Sequence, residues 1–184
     1  DAPLDEHTAR FGIPVVTMMR RLDPRFSSVT PDNARAGVLM GEHLRDLGVR
    51  SVTFLGGPTH SSGRADRIAG MRAALGEGVA FDHGEHTTTS TTYSDAGRAA
   101  MARVFERGDL PDAVVGFSDI VTMGLYVELH ERGLLPGRDV AVASFDDISM
   151  SSWLTPPLTS MAAGADQVGA AAADEILAAI DQGP

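Results

Sequence analysis

Two residue types are absent from this sequence, cysteine and lysine, and each absence excludes a kind of chemistry. Without cysteine there is no disulfide framework and no thiolate metal site. All 15 basic residues are arginine, so lysine Schiff bases and the lysine of a phosphate-binding P-loop are excluded. No apolar run reaches membrane-spanning length and no signal-like start is visible, so we expect a globular protein rather than a membrane protein.

Positive charge is also scarce, because 15 basic residues face 25 acidic ones and the formal net charge at pH 7 is −10. A surface this acidic repels phosphate groups, so we expect the chain by itself to bind neither DNA nor anionic membranes tightly. Its 184 residues correspond to one domain or to two small lobes, and they are enough to bury roughly 70% of the surface of the unfolded chain.

Short β-rich runs alternate with segments of helical periodicity along the chain. The predicted strands span residues 13–18, 51–55, 79–86, 112–117 and 140–143. The predicted helices span residues 31–47, 64–75, 94–108, 119–132 and 165–180. Residues 20–30 are predicted to be a loop. Alternation of this kind predicts an α/β fold, with a parallel sheet flanked by helices and right-handed crossovers.

The helical period predicts which side chains of each helix face the core. The expected inward stripes are Val38, Leu44 and Leu47 in the first helix, Ile68, Met71 and Leu75 in the second, Ile120, Met123 and Val127 in the fourth, and Val168, Ala172, Ile176 and Ile180 in the last. Ser94 and Ser118 are predicted N-caps, because a serine side chain accepts a hydrogen bond from the first turn. Two prolines make the segment 154–161 a stiff connector.

Polar side chains follow the predicted strands at the points where the strands end. In a parallel sheet these ends meet at one edge, where open α/β sheets bind ligands. The segments brought to that edge are 18–21, 56–67, 117–119 and 145–147. Their arginine, carboxylate and hydroxyl groups suit a polyhydroxylated ligand such as a sugar, because carboxylates accept from hydroxyl groups and guanidinium donates to them.

Each of these polar residues also has a plainer explanation. Arg67 could pair at the surface with Asp66 or Glu77. Asp146 could form the turn that follows its strand, and Asp119 could be a first-turn acid that interacts favourably with the helix dipole. From spacing alone, the plainer explanation of Asp119 is the better one.

Catalytic and metal-binding patterns are weak. The segment 116–120 lacks the second glycine of a serine hydrolase elbow, and the Gly56-Gly57 loop lacks the spacing of a dinucleotide fingerprint. The segment 82–86, Asp-His-Gly-Glu-His, is typical of a solvated loop rather than of a metal site. We therefore predict a protein that is not an enzyme and has no catalytic residue, cofactor or metal.

Several short motifs occur together in a fixed order. The strongest pair is Ser144–Ile148 followed, at the right spacing, by Leu154–Thr159. Weaker motifs precede this pair, namely Gly12–Val16, Asp32–Asn33, Gly56–Pro58, Arg67–Gly70 and Ser118–Asp119. By these motifs the sequence, over nearly all of its length, resembles the effector-binding core of LacI/GalR-type transcriptional regulators, which are related to periplasmic sugar-binding proteins.

The resemblance implies a periplasmic-binding-protein-like fold of type I, in which two α/β lobes are joined by three crossovers and hold the effector in the cleft. It assigns residues 1–31 to the tail of the N-terminal lobe, 32–160 to the C-terminal lobe and 161–184 to the return helix of the N-terminal lobe. One lobe is then complete and the other partial. The family's helix-turn-helix, hinge and first βα units have no counterpart, so we expect an N-terminally truncated chain.

For the site, the resemblance implies that Arg67 and Asp146 bind hydroxyl or carboxylate groups of the effector, with Ser118 and Asp119 nearby. The sequence departs from the family pattern at two cleft positions. Met19 stands where an aspartate is usual, and Ser118 stands where an asparagine is usual. One common cleft carboxylate is therefore absent, which leaves room for a different ligand.

The function implied is that of the ligand-sensing region of a cytoplasmic transcriptional repressor. Its effector would be a sugar or a related polyol, and a purine is less expected. The full-length protein would bind operator DNA as a homodimer through a helix-turn-helix outside this chain, with no membrane partner. The alternative is a transport-type periplasmic sugar-binding protein, and a third, less favoured hypothesis is an enzyme on a similar scaffold.

Overall fold

The computed structural model describes residues 12–84, 93–108 and 110–182, and within them two parallel sheets and five α-helices. The strands are β1 (Val16–Met18), β2 (Ser27–Val29), β3 (Ser51–Leu55), β4 (Ala80–Asp82), β5 (Ala113–Gly116), β6 (Ala141–Asp146) and β7 (Thr159–Ala162). The helices are α1 (Asn33–Asp46), α2 (Ser62–Leu75), α3 (Tyr93–Arg107), α4 (Asp119–Glu131) and α5 (Ala165–Gln182), with a 3₁₀ helix at Ser149–Trp153. The predicted α/β fold with a helix-flanked parallel sheet is confirmed.

The larger sheet has the strand order β4-β3-β5-β6-β7, and every neighbouring pair is parallel. The chain adds β4 on one side of β3 and then crosses to place β5 on the other side. The direction of winding therefore reverses between β3 and β5. In open α/β sheets the crevice beyond the carboxyl ends of two such strands is where ligands bind.

Helices cover both faces of the larger sheet, which explains why its strands are apolar without alternation. On one face α1 and α2 contribute Met40, Leu44 and Met71 to a cluster with Phe54 and Phe145 of the strands. A second cluster fills the other face, beneath α3 and α4; it includes Leu55, Met101, Val114, Leu125 and Leu129. Two cores on one sheet hold the strand ends in fixed positions.

The smaller sheet consists of β1 and β2, and α5 packs against both strands. The prediction of a loop over residues 20–30 is wrong, because Ser27–Val29 pairs in parallel with β1. The first strand also begins at Val16 rather than at residue 13. A run of two serines and a valine is too polar and too short to indicate a strand from its composition.

Three of the predicted helix stripes need correction. In α5, Val168 and Ala172 are buried as predicted, but Ile180 is 57% exposed. Leu47 lies after the end of α1 and its side chain is 59% exposed. In α4 the buried residues include Val121, Leu125 and Leu129, whereas Val127 is 46% exposed. Since α4 carries apolar residues on every side, its period does not indicate which side faces the core.

The two predicted serine caps have different outcomes. Ser118 caps α4 as predicted, because its side chain accepts a hydrogen bond from the backbone N–H of Val121. Ser94 is not the N-cap of its helix, because α3 already begins at Tyr93. The predicted strand over 79–86 is confirmed for Ala80–Asp82, and residues 85–86 lie outside the described residues.

The segment 154–161, which was predicted to be a stiff connector, packs against the larger sheet and ends in one of its strands. Leu158 is buried in the core beneath α4, and β7 pairs with β6 from Thr159 to Ala162. The chain crosses to α5 only after Ala162, so residues 161 and 162 also belong to the larger sheet. The division into lobes at residues 31 and 160 stays a prediction.

The helices α1 and α2 approach each other closely because glycine lies at their contact. A Cβ atom at Gly37 would lie 2.2 Å from the carbonyl oxygen of Arg67, and one at Gly70 would lie 2.2 Å from that of Ala34. These are backbone atoms, which cannot move away as the end of a flexible side chain can. The contact fixes the backbone of Arg67 relative to the start of α1.

We expect Gly37→Ala to destabilise the protein by about 1–3 kcal/mol, because the added methyl group forces the two helices apart. Gly169→Ala in α5 is the control, since an added Cβ there meets no atom within 4 Å. The control should be neutral or stabilise by about 0.5–1 kcal/mol, as alanine favours a helix. Urea denaturation of both variants measures the difference, and equal effects would contradict the close contact.

Candidate functional site

A cavity of about 290 Å³ lies at the carboxyl ends of the strands where the winding of the sheet reverses. It is lined by Met19, Arg67, Tyr93, Phe117, Ser118, Ile120 and Asp146. These residues come from both sheets: Met19 follows β1, and the others belong to the larger sheet and its helices. The structure thus brings Arg67, Ser118 and Asp146 together, as the positions of the strand ends predicted.

Arg67 is the central cation of this cavity, and it is buried, with 6% of its surface exposed. Its Nε donates to Oδ1 of Asn33 at 2.8 Å, and its Nη1 donates to the carbonyl oxygen of Phe117 at 2.6 Å. The guanidinium also lies 4.5 Å from the ring centroid of Phe145 and 5.2 Å from that of Phe117. It is therefore not a surface arginine paired to Asp66.

Asp146 ends β6 with a φ of 112°, a backbone conformation that side-chain-bearing residues rarely adopt. Its Oδ1 lies 3.7 Å from Nη2 of Arg67, which is too far for a good hydrogen bond. Burial raises the pKa of Asp146 from 3.8 to about 6, the Arg67 charge opposes this rise, and the Asp119 charge adds to it. Burial lowers the pKa of Arg67, while the Asp146 charge counteracts that shift.

The gap between Arg67 and Asp146 holds unused hydrogen-bonding capacity. Within the described residues, Nη2 of Arg67 donates no hydrogen bond and the carboxylate of Asp146 accepts none. A hydroxyl group that bridges the two from the cavity side would accept from the guanidinium and donate to the carboxylate. Ser118 lies at the same cavity, and its hydroxyl already accepts from Val121 but still has a hydrogen to donate.

Asp119 has a different environment from the one that the sequence suggested. It is fully buried and does not line the cavity. Its Oδ2 accepts from the N–H of Ile148 at 2.9 Å and the hydroxyl of Ser151 at 2.6 Å, and its Oδ1 accepts from the hydroxyl of Ser160 at 2.6 Å. The carboxylate thus ties α4 to the segment after β6 and to β7, which is a structural use.

We expect Asp119→Asn to destabilise the fold by about 2–3 kcal/mol, since three donors lose a charged acceptor in a buried site. Asp147→Asn is the matched control, because Asp147 is exposed and asparagine tolerates its left-handed φ of 56°. Thermal and urea unfolding measure both variants. A stability loss of the same size in the two would argue against the structural use of Asp119.

Met19 reaches the cavity because the chain after β1 is held in place. Its φ is 66°, and its backbone N–H donates to the carbonyl oxygen of Val29 at 2.9 Å. Arg21 then donates from its backbone to the hydroxyl of Ser62 at 3.0 Å and pairs with Asp66 at 2.7 Å. These contacts join the smaller sheet to the start of α2 beside the cavity.

Sequence reasoning did not assign three of the residues at this site. Asn33 orients Arg67, and Tyr93 and Ile120 line the cavity. Asn33 had a visible signal, because it follows the N-cap of a helix in one of the family motifs. The other two carried none, since apolar and aromatic residues at the start of a helix usually belong to the core.

A larger cavity of about 540 Å³ lies between α1, α5 and the segments that join the two sheets. Most of its lining is apolar, and the polar groups of Asn33 and Arg67 that border it bind each other. The smaller cavity is the better candidate site because it holds the unused groups of Arg67 and Asp146. Among the described residues, no cluster of three or more histidines or carboxylates could hold a metal, and Glu85 and His86 lie outside them.

The raised pKa of Asp146 predicts a pH-dependent stability. The folded state binds the proton more tightly than the unfolded state between pH 3.8 and about 6, so the contribution of Asp146 to stability is largest below this range and is lost as the pH rises through it. Relative to Asp146→Asn, the unaltered protein should lose about 1–3 kcal/mol between pH 4 and pH 7. Urea unfolding across this range tests it, and a constant difference between the two would contradict the shift.

Comparison with known proteins gives the class of the chain. A family model described as "Periplasmic binding protein-like domain" matches residues 41–184. The ribose operon repressor of Escherichia coli K12 is 30% identical over 158 residues, which is 85% of this chain and 48% of the repressor. The transcriptional repressor PurR of Edwardsiella ictaluri is 29% identical over 169 residues, which is 90% of this chain and 49% of that protein.

A solved structure shows the same fold. A LacI family transcriptional regulator from Enterococcus faecium with bound ribose has a TM-score of 0.82 at 22% identity, over 98% of this chain and 66% of the regulator. The chain therefore belongs to the periplasmic binding protein-like domain family. Within that family it is an effector-binding core of the LacI/GalR type, as its motifs indicated. It spans about half the length of the curated relatives it matches.

Both curated relatives described above are named as repressors. Among the residues that the structure describes, none of the helices has the length and apolar character needed to cross a membrane.

Proposed function

We propose that this chain is the ligand-sensing region of a transcriptional repressor and that its cavity binds a small sugar or related polyol. The observation that carries the proposal is the 3.7 Å gap between the guanidinium of Arg67 and the carboxylate of Asp146. A sugar hydroxyl suits this gap because it both donates and accepts a hydrogen bond. Ser118 offers a further donor at the same cavity.

The relatives favour a sugar over other effectors, although they differ among themselves. One is a ribose operon repressor, and one solved neighbour holds ribose. PurR, whose name refers to purines, makes a purine the second choice. A ring that presents hydroxyl groups matches the paired donor and acceptor of the cavity, because each hydroxyl both donates and accepts a hydrogen bond.

Effector binding would change the position of the two sheets relative to each other. The cavity has residues from both, since Met19 follows β1 and Arg67 and Asp146 belong to the larger sheet. A ligand that binds both sides stabilises their closed arrangement, and such coupling typically amounts to about 1–3 kcal/mol. The full-length protein would pass this change to a DNA-binding segment outside this chain.

The proposal extends to the partners of the full-length protein, which would bind operator DNA as a cytoplasmic homodimer without catalytic activity. With a net charge of −10, the part described here is the sensing part rather than the DNA-binding part. Trp153 is 74% exposed on the 3₁₀ helix, and an indole this exposed suits contact with a second copy.

A transport-type sugar-binding protein is the second candidate, because the matching family model is described by the periplasmic fold.

Isothermal titration with D-ribose, and with hypoxanthine as the purine, tests the proposal. Asp146→Asn should weaken sugar binding at least tenfold, or about 1.4 kcal/mol, because a neutral amide oxygen accepts a weaker hydrogen bond than a carboxylate does. Arg67→Ala should do the same. Asp147→Asn is the control with unchanged affinity, since its carboxylate is exposed and does not line the cavity. Equal sugar affinity in the unaltered protein and Asp146→Asn would refute the site.

A further inference from the structure

We propose that Met19 makes the effector cavity selective for a deoxy sugar, that is, a sugar without a hydroxyl group on the edge that faces Met19. The inference rests on the proposed function, because it names the ligand class of the same cavity. Its basis is the contribution of the smaller sheet to the lining, which is the apolar side chain of Met19.

The lining divides into a polar part and an apolar part. Arg67, Asp146 and Ser118 supply the groups that bind ligand hydroxyls, and all three belong to elements of the larger sheet. Met19 approaches from the smaller sheet, Ile120 and Phe117 add further apolar side chains, and Tyr93 borders the cavity from the start of α3. A ligand held by the polar part therefore meets a thioether on the edge that faces Met19.

Met19 is fixed in this position by its backbone. Its φ of 66° lies in the left-handed region, and its N–H is bound to the carbonyl oxygen of Val29. The next residues are anchored through Arg21, which binds both Ser62 and Asp66 of α2. The backbone of Met19 is therefore held on both sides, which keeps the residue at the border of the cavity, where it is 37% exposed.

Methionine is an unusual residue for the left-handed backbone at position 19. A left-handed φ strains most side chains, and asparagine, aspartate and glycine adopt it more readily than methionine does. Here the backbone keeps the strained conformation with a methionine, which points to a use of the side chain itself. A thioether is apolar and adaptable, so it covers hydrocarbon surface and offers a hydroxyl only a weak acceptor.

The energetic consequence is a preference among similar sugars. A hydroxyl that leaves water and meets Met19 without a partner loses its hydrogen bonds, which costs roughly tenfold in affinity. A hydrogen atom or a methyl group at the same ligand position meets no such loss and gains apolar contact. The cavity should therefore bind the member of a sugar pair that lacks this hydroxyl more tightly.

Matched sugar pairs that differ by one hydroxyl test the inference on the complete 184-residue chain. The pairs are L-fucose with L-galactose, L-rhamnose with L-mannose, and 2-deoxy-D-ribose with D-ribose. We expect the deoxy member of the best-binding pair to bind at least fivefold tighter in isothermal titration. Met19→Asn should remove or reverse this preference, because asparagine suits the left-handed backbone and offers the hydroxyl a donor and an acceptor.

Met18→Asn is the matched control, because Met18 is a neighbouring methionine of similar exposure that does not line the cavity. Its preference should equal that of the unaltered chain. Equal affinity for both members of every pair that binds, or a preference that Met19→Asn leaves unchanged, overturns the inference while the sugar site stands. If none of the six sugars binds, the proposed function falls together with the inference.

Discussion

The burial of one guanidinium group is the constraint on which the rest of this structure depends. A charged group removed from water must find partners, since an unpaired buried charge costs several kcal/mol. Arg67 finds them in Asn33 at the start of α1, the backbone after β5 and the ring of Phe145 in β6. Four elements are therefore joined around one side chain, and the unused part of that side chain faces the cavity and Asp146.

Two carboxylates lie near this cation, and their surroundings give them opposite properties. Asp119 accepts three hydrogen bonds and is fully buried, so its charge is satisfied within the chain. Asp146 accepts none among the described residues, and burial raises its pKa to about 6. Since the same residue type serves the fold in one place and remains unsatisfied in the other, the number of hydrogen bonds distinguishes the structural acid from the candidate ligand-binding acid.

The sequence predicts the parts of the fold that depend on local pattern. It does not predict contacts between residues that are far apart in the chain. The apolar strands, their alternation with helices and the position of Arg67 beside Asp146 follow from periodicity, topology and family motifs. The sequence does not predict strand β2, because Ser27 and Ser28 carry no apolar signal. The structural role of Asp119 is not predicted either. Its hydrogen-bond partners lie 29 to 41 residues further along the chain, and nothing in the local spacing indicates them.

The glycine contact between α1 and α2 has a mechanical consequence. Because Gly37 and Gly70 bring the two backbones together without a side chain between them, we expect α1 and α2 to move as one body. Arg67 of α2 is also bonded to Asn33, the first helical residue after the chain leaves β2. A displacement of the guanidinium by a bound molecule would therefore act directly on the segment that leads back to the smaller sheet.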